Sequence, residues 1–267
     1  MIFNALSIAG SDPSGGAGIQ ADLKVFSAHN VYGMAAITAL TAQNTTGVSA
    51  IHTPPPEFVA EQIRMVFSDV RVDAVKIGMI ANAEIAMAVA TTLIEVEAQH
   101  IVLDPVMIAK GGAPLLAEEA MECLRNHLLP LADIVTPNLP EAAALLGETE
   151  AQSREEMMSQ AKRLLRLGPR NVYLKGGHFS GTESPDLLLA STGAMWLDAP
   201  RIDTKNTHGT GCSLSAAIAA NRACGACETE AAEAAKKYIT NAIAAADQLD
   251  VGQGHGPVYH FTQKTHH

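Results

Sequence analysis

Residues 207–217, THGTGCSLSAA, place Gly209, Thr210 and Gly211 directly before a run of small apolar residues. This pattern predicts a tight turn that opens a helix over roughly 211–223. Backbone N–H groups at a helix N-terminus bind anions and stabilise charge that develops during group transfer, so a phosphate is the ligand we expect here. A plain N-cap formed by Thr210 would explain the same residues.

Cys212 follows this turn directly, in the first turn of the predicted helix. The pKa of a thiol at a helix N-terminus falls below its free value of about 8.5, which would suit a general base or a nucleophile. The alternative is a small buried residue that packs the helix. We therefore treat Cys212 as a candidate catalytic residue with a lowered pKa.

Upstream of this segment, short apolar runs alternate with helical runs. The predicted strands cover 4–10, 35–41, 72–78, 100–106, 133–138 and 171–177, and the predicted helices cover 17–29, 56–69, 82–98, 117–128, 139–146 and 154–167. A hairpin from 186–191 and 194–200 and a helix over 228–247 flank residues 207–223. The alternation predicts an α/β fold with a mostly parallel central sheet and helices on both faces. No linker divides the chain, so we expect one domain over residues 1–267.

Composition excludes several classes of protein. The chain has 267 residues, 48% of them hydrophobic and 17% charged, with a net charge of −10, and it carries no basic run that would bind nucleic acid. No apolar run reaches the roughly 18 residues of a membrane span, and no signal-peptide pattern is present, so a cytoplasmic protein is expected. Cys224 and Cys227 form a C-x-x-C without further zinc ligands and are interpreted as small residues at a helix end.

A second glycine-rich loop, AGSDPSGGAGIQADLK at 9–24, follows the first predicted strand. Gly16, Gly18 and Ala21 match the dinucleotide-binding fingerprint only in part, because the acidic residue expected about 20 positions later is missing. The loop is either a turn that starts a helix or a place where backbone approaches a small ligand. Asp12 and Ser14 favour the ligand interpretation.

In an open α/β sheet, ligands bind at the carboxyl ends of the strands. Asp104 and Lys175 each end an apolar strand, and Asn138 and Glu141 lie three residues apart where a helix begins. An amide and carboxylates suit Mg²⁺, which keeps waters and phosphate oxygens as its other ligands. A helix start with a glutamate in its first turn, or a turn-forming aspartate, would explain these residues equally well.

The turn before Cys212, after a hairpin and late strands, resembles the ribokinase superfamily of small-molecule kinases. In most of that superfamily an aspartate follows Gly-Thr-Gly, and a cysteine there is typical of the hydroxymethylpyrimidine/phosphomethylpyrimidine kinases of thiamine biosynthesis. Further segments agree with this narrower resemblance: SIAGSDPSGGAGIQADLK (7–24), TAQNTTGV (41–48), VKIGMI (75–80), VLDPVM (102–107), TPNLPEAAAL (136–145), LKGGH (174–178) and GHGPVYHF (254–261).

The resemblance implies a ribokinase-like kinase that uses ATP and Mg²⁺ to phosphorylate 4-amino-5-hydroxymethyl-2-methylpyrimidine and then its monophosphate. Cys212 would be the base that activates the acceptor hydroxyl, and the anion hole would be formed by Gly209, Thr210 and Gly211. The nucleotide would be bound by Asp104, Asn138, Glu141, Lys175 and Lys236, of which Asp104, Asn138 and Glu141 would also hold the metal. The pyrimidine pocket would contain Gln43, Gly10, Asp22 and Met79. The resemblance also implies a homodimer, with the strands around 35–53 as a lid or a contact.

Three rival functions remain at this point. A pyridoxal or pyridoxine kinase shares the superfamily, and competition between the pyrimidine alcohol and pyridoxal would separate the two. A dinucleotide-dependent oxidoreductase would use Gly16 and Gly18 and would bind NAD(H). A catalytically silent binding protein would show no ATP turnover.

Overall fold

The core of the fold is an eight-stranded sheet, seen in a computed structural model that describes residues 1–107, 118–177, 179 and 181–261. The ten described strands are β1 Asn4–Ala9, β2 Tyr32–Ile37, β3 Leu40–Asn44, β4 Gly47–His52, β5 Ala74–Ile77, β6 Ile101–Leu103, β7 Ile134–Val135, β8 Asn171–Leu174, β9 Asp186–Ala190 and β10 Gly193–Leu197. The order in the large sheet is β10-β9-β8-β7-β6-β5-β1-β2. Within this sheet, β2, β1, β5, β6, β7 and β8 pair in parallel with one another in that order. The last two strands, β9 and β10, extend the sheet with antiparallel pairing.

Helices cover both faces of this sheet. They are α1 Gly18–Ala28, α2 Pro56–Asp69, α3 Ala83–Glu95, α4 Glu118–Cys123, α5 Leu139–Leu146, α6 Arg154–Leu165, α7 Thr210–Ala223 and α8 Glu228–Ala244. Apolar residues of α2 to α6 form the core on one face, and those of α1, α7 and α8 form the core on the other. The predicted fold class is therefore confirmed. None of the helices in the described ranges is long and apolar enough to cross a membrane.

Successive residues of the central strands supply the two cores in turn. Leu103 packs into the core beneath α2 to α6, whereas its neighbour Val102 packs into the core beneath α1, α7 and α8. Because side chains alternate across a strand, a strand that is buried on both faces is apolar throughout. This explains why the predicted strand segments are continuous apolar runs.

Two regions differ from the predictions. The predicted strand over 35–41 is two strands, because β2 ends at Ile37 and β3 begins at Leu40 and pairs antiparallel with β4 outside the large sheet. The Asn44 side chain accepts hydrogen bonds from the backbone of Thr46 and Gly47 and so closes this hairpin. The predicted helix over 117–128 is the short α4 followed by a π-helical turn at Leu124–Leu128, and residue 117 lies outside the described residues.

The hairpin β3–β4 is held against the C-terminal segment. The backbone N–H of Gly254 donates to the Thr45 hydroxyl at 3.2 Å, and that of His255 donates to the Thr45 carbonyl at 3.1 Å. A Cβ at Gly254 would collide with the Thr45 carbonyl, so only glycine permits this approach. The same segment accepts a hydrogen bond from the backbone N–H of His208 through the Gly256 carbonyl. It therefore ties the hairpin to the turn that precedes α7.

Candidate active site

A cavity of about 460 Å³ opens at the carboxyl ends of the parallel strands. Residues that directly follow β1, β5, β6, β7 and β8 line one side of the cavity. The hairpin β3–β4 and the N-terminus of α7 line the rest. The predicted site residues that line it are Gly10, Gln43, Met79, Asp104, Asn138, Glu141, Lys175, Gly209, Thr210, Gly211 and Cys212. The topology thus brings together residues that are separated by up to about 200 positions in the chain, as expected for an α/β sheet.

The Gly-Thr-Gly turn lines the cavity where α7 begins. Gly209 has φ = 76° and forms the N-cap of α7, and a Cβ there would collide with the carbonyl of Gly16. No side chain caps this helix, and the Thr210 hydroxyl donates instead to the Thr207 carbonyl at 2.7 Å. Thr210 is therefore not the N-cap of α7, and anion binding by the first turn of this helix stays a prediction.

Lys175 adds a positive charge beside this turn. Its Nζ lies 2.9 Å from Asp104 Oδ1 and 3.7 Å from Glu141 Oε2, and a Cβ at Gly211 would lie 3.2 Å from it. Burial raises the pKa of Glu141 to about 7, because the attraction of Lys175 offsets burial only in part and the charge of Asp104 opposes ionisation. Burial also opposes ionisation of Asp104, but Lys175 and Lys76 outweigh it and keep the pKa of this carboxyl below its usual value.

Asn138 and Glu141 form a reciprocal capping box at the start of α5. The Asn138 side chain accepts from the Glu141 N–H, and the Glu141 carboxylate accepts from the Asn138 N–H, both at 2.8 Å. The interpretation of these two residues as a helix start is therefore confirmed. Within the described residues, no cluster of three or more His, Cys, Asp or Glu side chains could hold a metal ion. Asp104 and Glu141 both lie beside the Lys175 ammonium, and a metal ion at these carboxylates stays a prediction.

Cys212 lines the cavity, but its predicted pKa is wrong. Burial, with smaller contributions from the carboxylates of Asp104 and Asp22, raises the pKa of the thiol to about 11. The ammonium group of Lys76 and the N–H of Gly18 act in the opposite direction without compensating. The helix N-terminus therefore does not yield a thiolate at neutral pH, because the site is buried and carries other negative charges.

Asp22 does not line the cavity, contrary to the prediction that it completes a pyrimidine pocket. It is fully buried, its carboxylate lies 2.8 Å from Lys76 Nζ, and it accepts a hydrogen bond from Ser7 Oγ at 2.6 Å. Lys76 is fully buried as well. The cause is the position of Asp22 on the face of α1 that packs against the sheet, where the ammonium of Lys76 needs a counter-charge.

Lys236 does not line the cavity either, although the resemblance implied that it lies near the nucleotide. Its Nζ donates to the Ser184 carbonyl and to Asp186 Oδ2, both at 2.8 Å. Asp186 also accepts from the hydroxyl of Tyr173 and the N–H of Gly176. Lys236 thus joins α8 to β9, because a buried lysine is stable only beside a negative charge.

Two functional candidates were missed by the sequence analysis. Lys76 was not singled out, although a lysine in the buried strand AVKI is a signal that a buried partner is needed. His208 was given no role, yet it lines the cavity and its Nε2 lies 2.7 Å from Asp12 Oδ2. Nothing in the local sequence around His208 could have shown that Asp12, 196 positions away, is its partner.

The C-terminal segment supports α7 through a buried histidine. His260 Nε2 lies 3.4 Å from Ser213 Oγ, and its Nδ1 lies 3.0 Å from the Tyr238 hydroxyl. Burial lowers the pKa of His260 to about 4, with a smaller contribution from the charge of Lys24. The neutral imidazole is therefore part of the folded state at neutral pH.

Acid should destabilise the protein through this histidine. Because the pKa of His260 falls from 6.5 in the unfolded chain to about 4 in the folded one, its contribution is complete above pH 6.5 and is lost as the pH falls to about 4. The expected loss in the free energy of unfolding is on the order of 3 kcal/mol, measured by urea denaturation at several pH values. His260→Gln should flatten this slope in part, since burial also lowers the pKa of His29. An unchanged slope in the variant would contradict the assignment.

The chain is similar to known proteins over most of its length. The sequence model described as "Phosphomethylpyrimidine kinase" matches residues 12–259. The chain belongs to the phosphomethylpyrimidine kinase family. Among proteins of this family, the hydroxymethylpyrimidine/phosphomethylpyrimidine kinase of Salmonella typhimurium is 53% identical over 259 residues, which cover 97% of each chain. The resemblance inferred from the sequence is confirmed.

Two further relatives extend this family assignment. A "Thiamine biosynthesis bifunctional protein ThiED" of Geobacter sulfurreducens is 51% identical over 257 residues, which cover 96% of this chain and 52% of that protein. The solved structure of an ADP complex of Bacillus subtilis pyridoxal kinase superposes with a TM-score of 0.89 at 38% identity, covering 97% of this chain and 98% of the other. Members of the phosphomethylpyrimidine kinase family and a pyridoxal kinase thus share one fold.

Proposed function

We propose that this enzyme uses ATP to phosphorylate 4-amino-5-hydroxymethyl-2-methylpyrimidine and then its monophosphate, giving the diphosphate used in thiamine biosynthesis. The observation that carries the proposal is one cavity that joins Gln43, Cys212, the Gly-Thr-Gly turn and Lys175. Identity of 53% to a kinase named for both acceptors supports the same chemistry here. The chain acts as a single kinase domain. It acts in the cytoplasm, and cell fractionation tests this location.

Phosphoryl transfer depends on positioning and on charge neutralisation more than on covalent chemistry. The amides of Gly209, Gly211 and Cys212 and the ammonium of Lys175 surround the transferred phosphoryl group, whereas the Thr210 N–H donates to the Thr207 carbonyl at 3.3 Å. Cys212 accepts the proton of the acceptor hydroxyl late in the transfer, and the Gly18 N–H and Lys76 stabilise the thiolate. A pKa of about 11 means that only about 10⁻³ to 10⁻⁴ of the molecules hold the thiolate between pH 7 and 8.

The nucleotide phosphates lie at the Lys175 side of the cavity. Mg²⁺, when bound, neutralises charge on these phosphates. Asp104 and Glu141 would hold the ion through the one or two carboxylates that Mg²⁺ usually takes from protein, and Asn138 would hold it through its amide oxygen. A titration of activity with Mg²⁺ at fixed ATP tests this, and activity without any divalent ion would contradict it.

The pyrimidine ring lies against the wall that Gly10, Gln43 and Met79 form. A Cβ at Gly10 would collide with the Met79 methyl, so glycine lets Met79 pack directly on the backbone and leaves the cavity in front of both residues open to the ring. The Gln43 amide offers a donor and an acceptor to the ring nitrogen and the exocyclic amine. The ring is thereby oriented with its hydroxymethyl group toward Cys212.

ADP production with Mg-ATP and a panel of acceptors tests the function. The panel contains the pyrimidine alcohol, its monophosphate, pyridoxal and ribose, and mass spectrometry counts the phosphates in each product. We expect turnover of both pyrimidines and formation of the diphosphate. Absence of pyrimidine turnover would contradict the proposal.

Pyridoxal or pyridoxine phosphorylation is the second candidate function. It is favoured by the TM-score of 0.89 to a pyridoxal kinase structure at 38% identity. Turnover of pyridoxal alone in the same panel would keep the mechanism at Cys212 and overturn the assignment of Gln43 to an aminopyrimidine. Turnover of both ring systems would make pyridoxal a side activity of the same cavity.

We also propose that two chains associate near the β2 edge of the large sheet. Large apolar side chains are exposed in this region, among them Tyr32, Leu40, Ile51 and Phe58. Because several large apolar side chains exposed in one region are typical of a protein contact, a second chain is the expected cover. Sedimentation equilibrium tests the proposal, and a monomer at micromolar concentration would contradict it.

A further inference from the structure

The carboxylate of Asp12 determines which nitrogen of His208 carries a hydrogen. Asp12 is 2% exposed and accepts from the Ser14 N–H, the Ser14 hydroxyl and the Ala17 N–H at 2.7 to 2.9 Å. Although burial opposes its ionisation, hydrogen bonds from His208 and Ser14 keep the pKa of Asp12 below its usual value. An ionised carboxylate only accepts hydrogen bonds, so the Nε2 of His208, 2.7 Å away, must be the donor.

That hydrogen constrains Gln43. The structure places the Gln43 Nε2 3.5 Å from the same Nε2 of His208, and a half-turn of the amide would exchange this nitrogen with Oε1. An NH₂ group at this end would face another donor, whereas the carboxamide oxygen faces the N–H group favourably and shares its single hydrogen with Asp12 as a weaker second acceptor. The hydrogen-bond partners decide the orientation of an amide, and here His208 requires the oxygen on its side.

Thr41 imposes the same orientation from the other end. Its hydroxyl donates its only hydrogen to the Ser11 carbonyl at 2.8 Å, and the second end of the Gln43 carboxamide lies 3.3 Å from that hydroxyl. The lone pairs of Thr41 Oγ1 therefore face Gln43 and suit the NH₂ group. One orientation of the amide satisfies both neighbours, and the opposite orientation satisfies neither.

We propose that Asp12 and His208 are positioning residues that fix the orientation of the Gln43 carboxamide and thereby the preference of the cavity for an aminopyrimidine. With one lone pair turned to the His208 N–H group and one hydrogen donated to Thr41, Gln43 still offers one acceptor and one donor to the cavity. The acceptor lies on the His208 side and takes the exocyclic amine, and the donor lies on the Thr41 side and takes the ring nitrogen. This inference rests on the proposed function and deepens it.

The space around His208 shows that the ring is held in place. A Cβ at Gly16 would lie 2.4 Å from the Cδ2 of His208, so the imidazole packs directly on the glycine-rich loop. The backbone of His208 donates to the Gly256 carbonyl at 3.0 Å on the other side. The side chain is 12% exposed, and this remaining surface faces the cavity.

A cycle that combines a protein variant with a substrate analogue tests the inference. The analogue is 5-hydroxymethyl-2-methylpyrimidine, which lacks the amine but keeps the hydroxyl that is phosphorylated. For the wild type, kcat/KM should be at least about tenfold lower with the analogue, mainly through KM, because one hydrogen bond is lost. In His208→Phe, kcat/KM with the aminopyrimidine should fall about tenfold, and removal of the amine should have little further effect.

His208→Gln is the matched conservative variant, because its NH₂ group can donate to both Asp12 and Gln43. It should keep the preference for the aminopyrimidine. The inference is overturned if His208→Phe lowers kcat/KM equally for both substrates, since a purely structural role would do that. If His208→Phe does not fold, Thr41→Val tests the other end of the amide, and an unchanged preference there overturns the inference. Absence of wild-type turnover of the aminopyrimidine would instead defeat the proposed function.

Discussion

Replacement of Cys212 by alanine should lower kcat by about 10² to 10⁴-fold, the usual contribution of a general base. KM for the pyrimidine alcohol should change little, because Gln43, Gly10 and Met79 carry the recognition of the ring. The measurement is steady-state ADP release with Mg-ATP and the alcohol. A variant with near-native kcat and normal substrate binding would show that Cys212 is not the base.

The pH profile is the control for this prediction. If the thiolate is the active form, kcat should rise about tenfold per pH unit from neutral pH toward the pKa of about 11. Cys212→Asp places a carboxylate at the same position and should make kcat less dependent on pH. Cys224→Ser and Cys227→Ser alter exposed thiols at the far end of α7 and should leave the profile unchanged. A flat wild-type profile would exclude a thiolate base.

Replacement of Lys76 by methionine should destabilise the protein by about 3 to 5 kcal/mol, because it leaves Asp22 buried without its counter-charge. Both side chains are fully buried, and Lys76 Nζ lies 2.8 and 3.0 Å from the two carboxylate oxygens. The free energy of unfolding from urea denaturation, compared with that of the wild type, is the measurement. A loss below about 1 kcal/mol would mean that the pair is not a closed ion pair in solution.

The double variant Asp22→Asn with Lys76→Met separates charge from packing. It removes both charges and keeps the side-chain volumes similar, so it should regain much of the stability that Lys76→Met loses. Catalysis should not return with the stability, because the ammonium that favours the Cys212 thiolate is absent. Recovery of full activity in the double variant would show that Lys76 acts only on the fold.

Secondary structure and the location of the site followed from local patterns. The apolar runs around Leu6 and Leu103 predict strands because both faces of a parallel sheet are buried. The glycines before α7 predict a tight turn that could bind an anion. The structure has such a turn, in which Gly209 adopts the left-handed φ that other residues avoid. Only Leu40 and Thr41 of the hairpin β3–β4 lie in the predicted strand over 35–41, because the mostly exposed residues of the hairpin carry little of the periodicity that marks a buried element.

The sequence by itself therefore determined the α/β layers, the family and the set of strand ends that form the cavity, because these depend on residues close together in the chain. Only the tertiary structure decided which charges meet. It paired Asp22 with Lys76 and Lys236 with Asp186, and so removed two predicted ligand contacts from the cavity. It also joined Asp12 to His208 and raised the pKa of Cys212. These outcomes depend on burial and on partners far away in the chain, and a local pattern carries information about neither.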